Sequence, residues 1–311
     1  MPLNLAILAV AFLVSVFCYP FLIRWFRRQR VGQVIQAELS PEHQRKAGTP
    51  TGGGILFVAA GIAGGLLATR NHPGAVAPTV ALVLYGLLGL VDDVAKLRFG
   101  SVGMPARVKF PLQVVLAVPI VMLATVQQHP IRFDVIHHWW YYPLAVTAVA
   151  GAANAVNLTD GLDGLAGGLA AIAILGTTFL LPGAGFGERA VAMSLAGGVL
   201  AFLVYNRHPA RIFMGDTGAL GLGAALSAMA IQQGWLFLLL ILGLVFVLET
   251  TSVMIQVSYF RASGGRRLFK MTPIHFTFQL QGWSERRIAL AFWAAGFAAA
   301  VVSSLLARSL L

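Results

Sequence analysis

Ten runs of mostly apolar residues, each near the length of a bilayer-crossing helix, leave this chain few ways to fold. They cover about residues 3–23, 52–69, 75–92, 110–127, 141–158, 165–182, 189–206, 217–232, 235–259 and 287–308. A helix needs about 20 such residues to cross the hydrocarbon core. The sequence therefore predicts an all-α integral membrane protein of about ten transmembrane helices. Composition agrees, because 58% of the 311 residues are hydrophobic and 11% charged, whereas soluble domains carry about 25% charged residues. No repeat or low-complexity segment divides the chain, so a single domain over 1–311 is the simplest organisation. The first run is followed by Arg24, Arg27, Arg28 and Arg30, with no basic stretch before it and no small-residue cleavage site. It reads as a retained span, not a signal peptide. The ninth run carries Glu249, which predicts a helix break or a buried polar contact.

The formal net charge is +11. Without a nucleic-acid-binding motif, that excess fits basic loops facing an anionic leaflet of the lipid bilayer, and no nucleic acid is expected as a partner. The one cysteine, Cys18, excludes a disulfide scaffold. Of the 22 Lys+Arg, 18 fall after odd-numbered runs, which places those loops in the cytoplasm and both termini outside. On the outer side, segment 128–140 could form a small hairpin on the membrane. Its His137 and His138 read as solvated residues.

Eleven residues are acidic, and their placement is informative. Asp92 and Asp93 end the third run, Asp160 and Asp163 follow the fifth, and Asp216 follows the seventh. Each position follows an odd-numbered run, so all five carboxylates share one membrane face whichever way the protein points. Any one Asp could simply cap the next helix, Asp163 and Asp216 in particular. Capping explains the adjacent pair Asp92–Asp93 poorly, because like charges beside lipid need a cation or a basic partner. A hard divalent cation is a natural offset. Mg²⁺ binds through carboxylates and substrate phosphates, and phosphoryl transfer uses it to neutralise phosphate charge. The glycine clusters 48–54 and 161–168 open the second and sixth spans, where backbone N–H groups could approach an anion. Close helix packing is the competing reading. Lys46, Lys96 and Lys109 lie near these segments, and Arg266, Arg267 and Lys270 precede His275.

At these residues the chain resembles the polyprenyl-phosphate N-acetylhexosamine-1-phosphate transferases and, within them, the phospho-N-acetylmuramoyl-pentapeptide transferase branch. The similarity runs in order through HQRKAGTPTGGG, GLVDDVAK, NAVNLTDGLDGLAGG, FMGDTGALGLG, ETTSVMIQVSYF and KMTPIHFTFQLQGWSERRI, over about residues 43–293. It implies ten transmembrane helices with cytoplasmic active-site loops, in the bacterial inner (cytoplasmic) membrane. It also implies transfer of phospho-MurNAc-pentapeptide from UDP-MurNAc-pentapeptide to undecaprenyl phosphate, giving lipid I and UMP for peptidoglycan synthesis, with Mg²⁺ as cofactor. By the same resemblance Asp216 would ligate the metal. Asp92 would be the base toward the lipid phosphate, with Asp93, Asp163 and His275 also in the catalytic set. Lys46, Thr49, Lys96, Asn157, Asp160 and Gly161 would bind substrate. Pairing into a homodimer through apolar helix faces is left open. The chain departs from the family at Phe276 and Thr277, where three consecutive histidines are usual, and at Gly52, where the family has Met.

A sister transferase using UDP-GlcNAc is the nearest alternative reading, and the PIH…LQGW segment argues against it. A transporter would place coupling carboxylates near the midplane, whereas this acidic cluster lies at helix ends. A non-catalytic scaffold gives no reason for five carboxylates on one side.

Overall fold

The computed structural model describes residues 2–29, 46, 48–99, 103–126 and 138–310. The predicted hairpin at 128–140, apart from its last three residues, lies outside them. The described residues form helices without strands. In chain order these are α1 (Pro2–Arg28), α2 (Gly54–Thr69), α3 (Val76–Phe99), α4 (Ala106–Val126), α5 (Tyr141–Thr159), α6 (Leu165–Leu175, prolonged by a wider turn over Gly176–Leu180), α7 (Phe186–Asn206), α8 (Gly215–Gln232), α9 (Leu238–Leu242), α10 (Leu244–Ala262), α11 (Ile274–Leu280) and α12 (Glu285–Ser309). Each apolar run of the sequence contains helix, the ninth in two pieces.

Among the described residues, five segments are long and apolar enough to cross a membrane: Pro2–Arg28, Pro73–Arg98, Ala106–Val126, Phe186–Asn206 and Glu285–Ser309. The chain is thus built as a multi-pass membrane protein. Several of the other helices are shorter or dominated by small residues, and they sit deeper in the bundle. In α8 every residue from Asp216 to Gln232 is buried, and the helix packs against α3, α5, α2 and α4. In α1, by contrast, Leu5, Val10, Leu13, Val14 and Phe17 are all exposed, as a lipid-facing surface requires.

Small residues let the central helices touch. A Cβ on Gly223 would lie 2.4 Å from the Ala152 carbonyl oxygen of α5, and one on Gly89 would lie 2.3 Å from that of Asp216. With lipid outside, such backbone contact supplies the association energy that water would otherwise drive. The ninth run breaks at Gly243, between α9 and α10, six residues before Glu249. Glu249 itself makes the buried polar contact: its carboxylate lies 3.1 Å from Nδ1 of His275, with both side chains inaccessible. Break and contact both occur, at separate places.

Candidate active site

The parity of the acidic residues holds in three dimensions, because α3, α5 and α7 end where α4, α6 and α8 begin. Asp93, in the last turns of α3, points into the start of α8. Its Oδ1 accepts from the Asp216 amide at 2.9 Å, and its Oδ2 accepts from the Thr217 amide at 2.9 Å and the Thr217 hydroxyl at 2.7 Å. The first amides of a helix have no partner within it and carry its positive dipole end. Asp93 satisfies two of them with a full charge. The cap expected from Asp216 is thus supplied from another helix, and the Asp216 side chain is left for other partners.

Those partners form a tetrad. Lys96 Nζ lies 2.8 Å from Asp92 Oδ2 and 2.6 Å from Asp216 Oδ1. Lys109, from α4, reaches Asp92 Oδ2 at 3.4 Å and also pairs with Asp216 Oδ2. The Met104 amide donates to Asp92 Oδ1 at 2.7 Å. Two carboxylates therefore face two ammonium groups, and the charges cancel. Lys96 is the most open member, with 37% of its side chain exposed. Of the tetrad, only Lys109 stands outside the site residues inferred from sequence motifs, because one lysine in a basic loop is also an ordinary topology signal.

A second cluster gathers four distant segments. Lys46 Nζ donates to Asp163 Oδ1 at 2.7 Å and to Glu285 Oε2 at 2.6 Å. Asp163 Oδ2 accepts from the Ala210 amide at 3.0 Å and lies 3.0 Å from Nδ1 of His208. The Asp163 amide donates to Glu285 Oε2 at 3.2 Å. Asp163 is therefore not a cap for α6, which begins at Gly164 without a side-chain cap. His208 and Glu285 are functional candidates that motif reading misses. Glu285 lies within the KMTPIHFTFQLQGWSERRI segment but receives no role from the resemblance, and His208 lies outside the quoted segments.

The turn between α5 and α6 joins the clusters. Asp160 is half-buried there, and burial is the largest influence raising its carboxyl well above the usual range. The nearby charges of Asp216, Asp163 and Asp93 push the same way. Gly161 abuts His275: a Cβ there would lie 2.3 Å from Nε2. His275 is fully buried beneath this turn and beside Glu249, so it braces the turn from below. At the two positions where the family has further histidines, Phe276 packs against the His275 ring and Thr277 bonds the Met271 carbonyl at 2.5 Å. Asn157 lies half-buried in the last turn of α5, and its carbonyl accepts from the Asp160 amide at 3.3 Å. The Thr49 amide donates to the Lys46 carbonyl at 3.0 Å.

Several glycines of the two clusters serve the close helix packing that competed with the anion-binding reading. The amides of Gly53 and Gly54 donate to the carbonyls of Phe213 and Met214, both at 2.8 Å. A Cβ on Gly54 would lie 2.3 Å from Gly218 Cα, and one on Gly168 would lie 2.0 Å from the Trp293 ring. The Gly164 amide donates to Asn206 Oδ1 at 2.9 Å. These glycines seat helices against one another, and their amides are taken.

Two groups are possible cation holders. Among the described residues, Asp163, His208 and Glu285 form a trio whose ligand atoms lie within 4.8 Å of one another. Lys46 already bridges both of its carboxylates, and an imidazole is a poor Mg²⁺ ligand. Asp92 and Asp216 offer only carboxylate oxygens, the donor type a hard divalent cation takes.

Comparison with known proteins identifies the family. Residues 75–234 match the family model described as glycosyl transferase family 4. That stretch contains Asp92, Asp93, Lys96, Lys109, Asp160, Asp163, His208 and Asp216. Proteins named phospho-N-acetylmuramoyl-pentapeptide-transferase in Bacillus thuringiensis and in two strains of Bacillus cereus are each 40% identical over 308 residues, covering 94% of this chain and 94% of each relative. A family model over half the chain, and relatives alike over nearly all of it, place this protein in glycosyl transferase family 4, among the phospho-N-acetylmuramoyl-pentapeptide-transferases.

Proposed function

We propose that this protein transfers phospho-MurNAc-pentapeptide from UDP-MurNAc-pentapeptide to undecaprenyl phosphate, releasing UMP and forming lipid I. The single observation that carries the reading is the tetrad of Asp92, Asp216, Lys96 and Lys109, gathered from α3, α4 and α8 at one end of the bundle. Its charges cancel, so it suits Mg²⁺ together with a doubly charged diphosphate, a pair that also cancels. In that arrangement Asp216, with Asp92 beside it, would hold the Mg²⁺. Bound there, the ion would neutralise charge on the diphosphate oxygens. Lys96 and Lys109 turn their ammonium groups from the carboxylates to the phosphates. Asp92 takes the remaining proton of the acceptor phosphate. An oxygen of that phosphate attacks the phosphorus bearing the sugar, the bond to the bridging oxygen breaks, and UMP leaves with the electron pair.

The second cluster differs in charge. Lys46 faces two carboxylates, Asp163 and Glu285, so this region suits the uncharged nucleoside end of the donor better than its diphosphate. Asp160, Gly161, Asn157 and Thr49 line the path between the clusters in this reading. Asp93 acts by holding α8, and His275 by bracing the 160–164 turn. The remaining features follow from the apolar runs and the charge bias: ten spans in one domain, termini outside, and the site on the cytoplasmic face of the inner membrane. The test is UMP release by the purified protein with undecaprenyl phosphate and either UDP-MurNAc-pentapeptide or UDP-GlcNAc. Turnover with the first donor is expected. Turnover with UDP-GlcNAc alone would move the chain's activity to the sister reaction.

A further inference from the structure

Lys46 is the one member of the second cluster that comes from a loop N-terminal to α2, and its position depends on what holds its ammonium. Asp163 holds one side. The other side is held by Glu285, 239 residues away in sequence and in the first turn of α12, at 2.6 Å. Glu285 does not serve its own helix, whose N-cap is Ser284, accepting from the Arg287 amide at 3.3 Å. Its side chain is fully buried, and the same Oε2 that meets Lys46 also accepts from the Asp163 amide. One carboxylate oxygen thus fixes both the lysine and the backbone of the turn that carries Asp160, Gly161 and Asp163.

We propose that Glu285 is a positioning residue for the donor: by sharing the Lys46 ammonium with Asp163, its carboxylate sets where Lys46 stands in the site. The proposal rests on the transferase reading above and adds a residue from the last helix to it. Two fully buried carboxylates against one ammonium that is 11% exposed leave Lys46 little freedom, so its Nζ is presented in one place. The assignment makes a distinctive prediction about sign. With Lys46 present, the Glu285 charge is compensated and useful. Without Lys46, the His208 ring, with Nδ1 3.0 Å from Asp163 Oδ2 and 3.8 Å from Glu285 Oε2, faces the two buried carboxylates, and their mutual repulsion makes the second charge a liability.

The experiment is a double-mutant cycle of Glu285→Gln and Lys46→Met in the full-length protein. It reads UDP binding by calorimetry, kcat and donor KM from UMP release, and thermal stability. In the wild-type background, Glu285→Gln is expected to weaken UDP binding and raise donor KM about ten-fold, the worth of one lost hydrogen bond between charged groups. The kcat should stay within about three-fold, because the reacting phosphates lie at the other cluster. In the Lys46→Met background the same change should be neutral or should improve stability and binding. The same loss in both backgrounds, a fall in kcat equal to the rise in KM, or wild-type values throughout would overturn the proposal. Wild-type turnover in the same assay reports on the transferase reading separately. A wild-type protein that neither binds UDP nor releases UMP would overturn both.

Discussion

Replacing Asp93 by Asn tests whether this carboxylate supports the site rather than taking part in the chemistry. The side chain is 7% exposed and receives three hydrogen bonds from the start of α8. Asparagine keeps the shape but offers one acceptor oxygen and an NH₂ group. If the oxygen stays on Thr217, the NH₂ faces the Asp216 amide and that bond is lost. If it turns the other way, the bond from the Thr217 amide is lost, and the Thr217 hydroxyl turns to accept from the NH₂. A hydrogen bond to a charged group contributes about 1.5–3 kcal/mol, and a buried N–H left unpaired adds to the loss. Removing the negative charge from the helix start costs roughly another 0.5–1 kcal/mol. The expected destabilisation is about 2–4 kcal/mol, read as denaturant unfolding of the detergent-solubilised protein without substrate. Turnover should fall too, because Asp216 sits on the backbone that loosens. An Asp93→Asn protein within about 0.5 kcal/mol of wild-type stability, yet inactive, would refute this reasoning and return Asp93 to the reaction itself.

Gly54→Ala places a methyl group 2.3 Å from Gly218 Cα and 2.5 Å from Gly218 N. Neither backbone can give way, so a loss of about 3 kcal/mol or more is expected, read as the yield of folded protein. Gly151→Ala meets nothing within 4 Å and should match wild type; an equal loss in both would defeat the packing argument. For Asp160, the raised carboxyl means that the folded state holds its proton more tightly than the unfolded chain does, whose ordinary value is 3.8. Stability in metal-free buffer then falls as pH rises from about 4 toward the folded-state pKa. Asp160→Asn should therefore melt higher than wild type at pH 7.5 in EDTA, with the gap closing toward pH 4. A gap independent of pH would contradict the electrostatic account.

The helices were legible because lipid enforces a simple pattern of long apolar runs, and each such run contains helix in the structure, the ninth broken at Gly243. The shared face of Asp92, Asp93, Asp160, Asp163 and Asp216 was legible from counting runs alone. What each carboxylate does was not. Asp216 and Asp163 look like caps in sequence because caps are local, but the cap of α8 comes from Asp93, 123 residues away. The glycine clusters look like anion sites because N-terminal glycines leave amides open. Here Gly53 and Gly54 give theirs to Phe213 and Met214, a pairing that no local rule reveals. His208 and Glu285 escaped notice for the same reason, since each acquires its meaning from segments distant in sequence. Lys109 differs: the sequence marks it as basic and near the site, and only the fold turns it onto Asp92 and Asp216.

Phosphoryl transfer is assigned here to the tetrad around Asp216. Its most direct test is UMP release by Asp216→Asn and wild-type protein, titrated with Mg²⁺ and with EDTA. The α8 cap uses the Asp216 amide and not its side chain, so the cap survives in the variant, and denaturant unfolding of the variant separates loss of turnover from loss of fold. The account predicts wild-type turnover that EDTA abolishes and Mg²⁺ restores, and no turnover by Asp216→Asn at any Mg²⁺ concentration. Wild-type-like release by Asp216→Asn, or release by the wild-type protein that EDTA leaves unchanged, would contradict it.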